Sequence, residues 1–331
     1  MRIRLNITSW GRFIDPLLDT LIPSLLAPGN LPALASRHQC SIDLCTTVNL
    51  FEELAEHPLI GKLVEYADIT LVPVDHIFHR KPHVVLTHAH RHTLKAALNE
   101  GAACMFIQPD MLFADNGLRW LSEAACDATA ILIATPRAII GNVTSISERY
   151  RENDIITIQP RELIRLALDH RHPVTDSLIV NGTKASSWPS QLYWQVGNEG
   201  LIVRGFHLHP IFLVPNESAL NDTIDGDYLD SNEGIVYVTD SDDMAVIELS
   251  QPGHMHRTII NSPMWSGLVK AWADEHPTAI HKKHAGVSLR LKADFTDAQA
   301  WDAMDKRAGE FYGQVVSKIA AAGVEPAKAR L

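Results

Sequence analysis

The chain has 331 residues, of which 46% are hydrophobic and 21% charged, and its 29 basic and 39 acidic residues give a formal net charge of −10. Such a length and composition are typical of a globular protein with one large domain or two smaller ones. The acidic balance argues against a nucleic-acid-binding protein, which normally presents a basic face.

Targeting and membrane signals are absent from the sequence itself. No run of about 18 apolar residues could span a bilayer, and the first segment, MRIRLNITSWGRF, lacks the apolar core of a signal peptide. The four cysteines lie in or beside apolar segments without metal-type pairing, which favours reduced thiols. We therefore expect a cytoplasmic protein without a transmembrane segment.

The first half alternates short apolar runs with helical patterns. Asp15 and Pro16 are suited to the start of a helix, which Pro23 should kink. Alternation of this kind predicts βαβ units and an α/β fold, with a mostly parallel central sheet flanked by helices on both faces. No glycine-rich phosphate loop follows a strand, so side chains, a metal or both would have to bind phosphates. The predicted strands are 2–8, 41–48, 68–74, 102–108 and 129–134.

A histidine-rich segment precedes the fourth strand. On a strand, His88, His90 and His92 would share one face and could ligate a metal. The following TLKAALNEG instead indicates a helix, in which His90 points away from the other two. We expect the three rings not to converge on one point.

The stretch GAACMFIQPDMLFADNGLRW carries the main chemical signal of this half. Its apolar run stops at Gln108, Pro109 and Asp110, because a proline cannot donate to a sheet ladder. Asp110 thus follows the carboxyl end of a buried strand, where open α/β sheets bind ligands. The alternative is an exposed turn carboxylate that accepts a nearby backbone N–H.

This order of elements, with the basic helix HRHTLKAALNEG before the strand and Pro-Asp after it, resembles the GT-A type of nucleotide-sugar glycosyltransferase over roughly residues 1–215. Enzymes of that type carry Asp-x-Asp here and hold a divalent metal against the donor diphosphate. The second Asp falls on Asp110, whereas the first falls on Gln108, whose neutral oxygen is a poorer ligand for a hard cation.

The resemblance also implies a donor site. Thr8, Trp10 and Arg12 would hold the base and ribose, and Arg91 and Lys95 would contact the phosphates. Gln108 would stand beside the donor, and Asp110 would bind Mg²⁺ or Mn²⁺.

From Trp188 to residue 250 the chain consists of short β-like runs separated by turns, which resemble the mixed acceptor-binding half of the GT-A fold. In RGFHLHP we expect His207 and His209 to point to one side of a strand. The resemblance implies that one of them assists the metal or diphosphate, and local hydrogen bonding is the alternative. We divide the chain into a nucleotide-sugar-binding half, 1–150, and an acceptor half with C-terminal helices, 151–331, in one continuous GT-A-like domain.

A turn in the second half carries two further carboxylates, Asp225 and Asp227. The other spaced ligands of an EF-hand loop are missing. The two residues are candidates for the general base of an inverting transfer, or for binding sugar hydroxyls. The final helical pattern after Asp297 has an apolar stripe suited to core packing, and an interface with a second copy in a homo-oligomer or with a membrane-associated partner is the alternative.

The resemblance therefore implies a hexosyltransferase-like enzyme of polysaccharide biosynthesis, which would move a sugar from a nucleotide-diphosphate donor to a saccharide or glycan hydroxyl. Two alternatives stay open. One is a metal-dependent hydrolase, holding zinc with the histidines of 83–92 and 207–209. The other is a non-catalytic protein of the same fold that binds glycans or nucleotides.

Overall fold

The computed structural model describes residues 1–78, 80–217, 233–254 and 258–320. The strands are β1 Arg2–Thr8, β2 Gln39–Thr46, β3 Asp68–Pro73, β4 Ala103–Ile107, β5 Met111–Phe113, β6 Ala130–Ile133, β7 Arg137–Ile139, β8 Arg151–Glu152, β9 Ile155–Ile156, β10 Ala185–Ser186, β11 Gln191–Val196, β12 Gly200–Gly205, β13 His209–Leu213, β14 Ile235–Tyr237, β15 Val246–Ser250, β16 Ile259–Ile260 and β17 Leu289–Lys292.

The α-helices are α1 Ile14–Pro16, α2 Ile22–Leu25, α3 Leu31–Ala35, α4 Phe51–Glu56, α5 Pro58–Val64, α6 Pro82–Glu100, α7 Gly117–Ala124, α8 Ile140–Ser147, α9 Pro160–Asp169, α10 Pro173–Asp176, α11 Ser266–Glu275, α12 Ala279–Ala285 and α13 Ala298–Ala320. Short 3₁₀ turns occupy Gly11–Phe13, Val48–Leu50, Asp75–Ile77 and Glu148–Tyr150, and Leu17–Leu21 is a π-helical segment. Within the described residues no helix is both long and apolar enough to cross a membrane.

In the described part of the chain, the central sheet has seven strands in the order β14-β6-β13-β4-β1-β2-β3. Every neighbouring pair is parallel except the two that involve β13. The prediction of a mostly parallel sheet is confirmed, and β1, β2, β3, β4 and β6 match the predicted strands to within two residues.

The alternation of side chains along β1 explains why helices cover both faces of the sheet. Ile3, Leu5 and Ile7 point into the largest apolar core, together with residues of α2, α3, α5 and α7. Asn6 points to the opposite face, where its side-chain amide donates to the Thr93 hydroxyl of α6 at 2.9 Å. That hydroxyl donates in turn to buried Asp43 of β2 at 2.6 Å. The network fixes the position of α6 on β1 and β2.

The first helical region is interrupted, in line with the expected effect of Pro23. A π-helical segment separates α1 from α2, because Pro23 has no N–H to donate to the carbonyl of Asp19. That carbonyl accepts a hydrogen bond from the Arg151 guanidinium instead.

The second half contributes the three-stranded sheet β11-β12-β17, and its strand β15 joins β5 and β7 of the first half in the sheet β5-β15-β7. The chain passes from the first of these to the central sheet at residues 206–208, because β12 ends at Gly205 and β13 begins at His209. The prediction that His207 and His209 share one side of a strand is therefore wrong. Leu208 packs so closely on Gly205 that a Cβ there would lie 2.4 Å from its Cδ2, so the strand turns at this glycine.

Candidate functional site

The strand order of the central sheet has its topological switch point at β1. From β1 the chain adds β2 and β3 on one side, and then returns to add β4 on the other. At such a switch point the loops that leave the neighbouring strands lead in opposite directions, and open α/β sheets usually bind ligands in the crevice between them. Gly11, with φ +55°, adopts the left-handed conformation required for the turn after β1.

Asp110 lies at this crevice, in the turn between β4 and β5. Its own carbonyl accepts from the backbone N–H of Leu249 at 2.7 Å, which ties the turn to β15. Only 8% of the residue is exposed, so the expectation of an exposed turn carboxylate is wrong. The strand β15 packs on the turn and covers it.

The carboxyl group of Asp110 is perturbed by its surroundings. Burial, and then the charge of Glu248, raise its pKa to about 7, although Arg137 and Arg12 oppose the rise. Glu248 is itself paired with Arg137 at 2.7 Å, because β7 and β15 run parallel with these two residues in register. The carboxyl group of Asp110 therefore lies in the electrostatic field of the Glu248–Arg137 ion pair and, more weakly, of Arg12.

A cavity of about 160 Å³ adjoins this cluster and includes both Arg137 and Glu248 in its wall. Most of the remaining wall is polar, with one indole: Thr135, Thr175, Ser186, Ser190, Gln191, Tyr193 and Trp188. The Tyr193 hydroxyl donates to Gln191 Oε1, and the Gln191 amide donates to the carbonyl of His207 at 2.8 Å. The wall thus presents polar groups that are held in place by hydrogen bonds, together with the indole ring of Trp188.

Aromatic side chains mark the carboxyl ends of β1 and β3. Trp10 and Phe78 meet edge to face, with 6.1 Å between the ring centroids, and Phe78 is 47% exposed. Nearby, the backbone N–H of Val48 donates to Asp75 Oδ2 at 2.9 Å, which joins the turns after β2 and β3. An exposed apolar surface therefore lies next to the crevice.

The predicted donor-site residues occupy two regions. Thr8 ends β1 and donates from its hydroxyl to Asn6 Oδ1 at 2.9 Å, while Trp10 and Arg12 lie in the turn that follows. Gln108 precedes the Asp110 turn, whose Met111 N–H donates to the Gln108 carbonyl at 3.2 Å. These residues stand around the crevice.

Arg91 and Lys95 lie along α6 instead. This helix runs back toward the amino ends of the strands, where its last residue, Glu100, pairs with Arg4 at 3.0 Å. Arg91 lies between Ala89 and Thr93, the residues that contact Asn6, and Lys95 lies beyond them. Contact of these two side chains with donor phosphates stays a prediction.

The two late histidines are separated by the turn after Gly205. The ring of His207 packs against His281 at 4.1 Å and Trp272 at 5.9 Å, on the C-terminal helices. His209 Nε2 lies 2.7 Å from the carbonyl oxygen of Phe106, near the end of β4. Burial lowers the pKa of His209, so its ring is neutral and donates to that carbonyl. Asp225 and Asp227 lie outside the described residues.

The predicted metal-site residues are poor ligands for the divalent metal that the resemblance implies. Gln108 offers a neutral amide, the raised pKa of Asp110 weakens its carboxyl group as a ligand near neutral pH, and His209 Nε2 is committed to a backbone carbonyl. Among the described residues, no group of three histidine, cysteine, aspartate or glutamate side chains could hold an ion. These residues therefore do not fit a metal ion held by the protein alone.

The histidines of α6 do not converge, as predicted. His90 is buried against Phe106, with ring centroids 4.8 Å apart, and burial lowers its pKa to about 3. His88 instead meets His76, and His92 is exposed.

Sequence reasoning missed Glu248, Arg137 and the cavity. A signal for Glu248 exists in the segment MAVIELS, where one carboxylate interrupts an apolar run. A charge in such a strand is normally paired, but its partner, 111 positions earlier, cannot be read from the sequence.

Comparison with known proteins does not assign the chain to a family. No protein-family model and no curated protein match the chain. Among solved structures, S. aureus TarS is 16% identical with a TM-score of 0.25, over 41% of this chain and 22% of that one. TarS 1–349 is 13% identical with a TM-score of 0.26, and its complex with UDP is 12% identical with a TM-score of 0.25. Both matches cover 41% of this chain and 36% of that one, and superposition scores this low establish no relationship.

Proposed function

We propose that this protein is a GT-A-like glycosyltransferase, which moves a sugar from a nucleotide-diphosphate donor to a hydroxyl of a saccharide or glycan. The observation that carries the proposal is the cluster of buried Asp110 with the partly exposed pair Glu248 and Arg137, near the carboxyl ends of β1 and β4. It combines proton-transfer groups, positive charge and a polar cavity at the edge of the sheet where α/β proteins bind ligands.

On the donor side, the exposed face of the Trp10 and Phe78 pair is suited to a nucleobase, because base–aromatic stacking tolerates every base. Arg12 lies in the same turn and close enough to Asp110 to affect its pKa. Its guanidinium is suited to the donor diphosphate. Thr8 ends the strand beneath them.

On the acceptor side, the cavity offers hydroxyl, amide and charged groups for sugar hydroxyls, and the Trp188 indole for an apolar ring face. Glu248 lines the cavity, and its charge also raises the pKa of Asp110. An acceptor bound there would place a hydroxyl near both carboxyl groups.

In the proposed reaction, the acceptor oxygen forms a bond to the anomeric carbon as the bond from that carbon to the diphosphate breaks. The acceptor proton passes to a carboxylate, for which Asp110 is suited, since a base with a pKa near the working pH is most effective. The diphosphate takes the electron pair, and Arg12 and Arg137 supply positive charge for it. Asp225 and Asp227 stay the alternative bases, and a retaining reaction would need none.

A test is thermal unfolding of the full chain with a panel of nucleoside diphosphates, each with and without Mn²⁺. A ligand at 100 times its Kd should add about 2.7 kcal/mol to the free energy of unfolding. Trp10→Ala should abolish the shift, whereas Trp265→Ala, which removes an indole that is 50% exposed elsewhere, should keep it. Absence of a shift with every nucleotide would contradict the proposal.

A further inference from the structure

Two exposed histidines, which the proposed reaction does not use, face each other between α6 and the turn that precedes Phe78. His76 belongs to the 3₁₀ turn after β3, and His88 lies in the second turn of α6. Their Nε2 atoms are 3.1 Å apart, and the ring planes meet at 73° with centroids 4.9 Å apart. Both residues are exposed, so an ion from solvent can reach them.

We propose that His76 and His88 form a two-histidine binding site for a transition-metal ion of the Zn²⁺ or Ni²⁺ class. The argument is geometric. Zinc–nitrogen bonds of about 2.0–2.1 Å place two donor atoms about 3.3 Å apart at the tetrahedral angle and about 2.9 Å apart at a right angle. The observed 3.1 Å lies between these values, so both rings can ligate one ion after a shift of a few tenths of an ångström.

A metal ion can replace the hydrogen bond between the two rings without any net release of protons. The 3.1 Å distance in the pair without metal fits a hydrogen bond in which one ring carries its hydrogen on Nε2 and the other ring accepts it. When an ion binds both Nε2 atoms, the ring that donated carries its hydrogen on Nδ1 instead, so two neutral imidazoles bind with no net loss of protons. Imidazole nitrogen is the side-chain donor that Zn²⁺, Cu²⁺ and Ni²⁺ share.

The neighbouring residues determine how tightly the site binds a metal ion and how many coordination positions remain for water. Among the described residues no third histidine, cysteine or carboxylate completes a set with these two, so water or a ligand takes the other positions. Arg91 and Lys95 carry positive charge close to His88, which opposes a cation. The site should therefore bind more weakly than a structural zinc centre with four protein ligands. A bound ion would tie the 75–77 turn to α6, twelve residues further along the chain.

The test is calorimetric titration of the full chain, without an affinity tag, with ZnCl₂ and NiCl₂ at pH 7.5. One saturable site per chain is expected. His76→Ala and His88→Ala should each lower the affinity at least tenfold, since even a residue that only orients a metal ligand is worth about 10–100-fold. His83→Ala, which removes an exposed histidine earlier on the same helix, should leave the affinity unchanged.

His92→Ala distinguishes this pair from a site made by one helix. His88 and His92 are one turn apart and could chelate an ion between them. Loss of binding in His92→Ala with normal binding in His76→Ala would overturn the proposal, and so would the absence of saturable binding in the unaltered chain. Thermal unfolding of each variant shows that the fold is intact. None of these outcomes depends on the proposed transferase activity.

Discussion

Asp110 is a carboxylic acid held away from water beside a second carboxylate, Glu248. Both features disfavour the ionised form, since burial removes its hydration and the neighbouring charge repels it. The pKa of about 7 makes Asp110 a proton acceptor suited to neutral pH.

Asp110→Asn should lower transfer by at least about 100-fold, because it removes the proposed base while keeping the shape of the side chain. The measurement is initial rate of transfer under saturating donor. Asp127→Asn, at an exposed position, is the matched control and should retain full activity. Normal transfer in Asp110→Asn would leave the base to be sought at Asp225 or Asp227.

The same residue predicts a pH dependence of stability. Between its ordinary pKa of 3.8 and the folded value of about 7, the native state keeps a proton that the unfolded state has lost. Native protein thus binds more protons, and raising the pH through this window lowers the free energy of unfolding. Asp110→Asn cannot ionise, so its stability should exceed that of the unaltered chain increasingly from pH 4 to pH 7 and by a constant amount above. Urea unfolding across this range measures the difference, and parallel curves would refute the prediction.

Glu248→Gln should shift the acid limb of the pH profile of kcat/KM to lower pH. The substitution removes a charge that raises the pKa of Asp110, and it leaves the positive charge of Arg137 without its carboxylate partner, which acts in the same direction. Glu56→Gln, on an exposed helix surface, should not move the limb. A limb that stays in place would show that Asp110 does not control the rate.

At the scale of elements, one buried amide connects α2, β5 and α7. The side-chain amide of Asn30 donates to the carbonyls of Ser24 at 2.8 Å and Ala114 at 3.0 Å, and its Oδ1 accepts from the N–H of Leu118 at 3.2 Å. The residue is fully buried, so water cannot replace these bonds.

Asn30→Ala should therefore lower the free energy of unfolding by about 2 kcal/mol or more, because the Ala114 carbonyl and the Leu118 N–H lose their partner and each such buried group costs about 1–3 kcal/mol. Urea unfolding measures the loss. Asn198→Ala, at an exposed position, should change stability by less than about 0.5 kcal/mol. An equally small change in Asn30→Ala would show that the loops rearrange to satisfy these groups.

At the scale of the whole molecule, the reactivity of the cysteine thiols depends on how tightly both faces of the sheet are packed. Cys40, Cys45 and Cys104 are free and buried, whereas Cys126 is free and exposed. Burial also raises the pKa of Cys40 to about 11 and that of Cys45 to about 12. A thiol reacts as its thiolate, so these groups are doubly protected.

A thiol-specific chromogenic reagent should therefore label one cysteine of the native chain quickly and all four after denaturation. Cys126→Ser should abolish the fast phase and leave three thiols for the slow one. Rapid labelling of more than one thiol in the native chain would mean that a face of the sheet opens readily.

The sequence by itself determined the local elements and their alternation. The apolar runs of β1, β2, β3, β4 and β6 are bounded by prolines, glycines and helix caps, so their positions follow from neighbouring residues alone. The helix of the histidine segment was also predictable, because TLKAALNEG continues its period as far as Gly101, whose φ of +62° ends α6.

Only the tertiary structure decided which groups meet. Asp110, Arg137 and Glu248 come from three separate segments, and their proximity depends on β15 lying between β5 and β7. The same long-range pairing buries Asp110, and burial rather than residue type sets its pKa. His76 and His88 also meet only because the turn after β3 folds onto α6. Register and strand order arise from packing over the whole chain, and so no single segment of the sequence could predict the chemistry of the site.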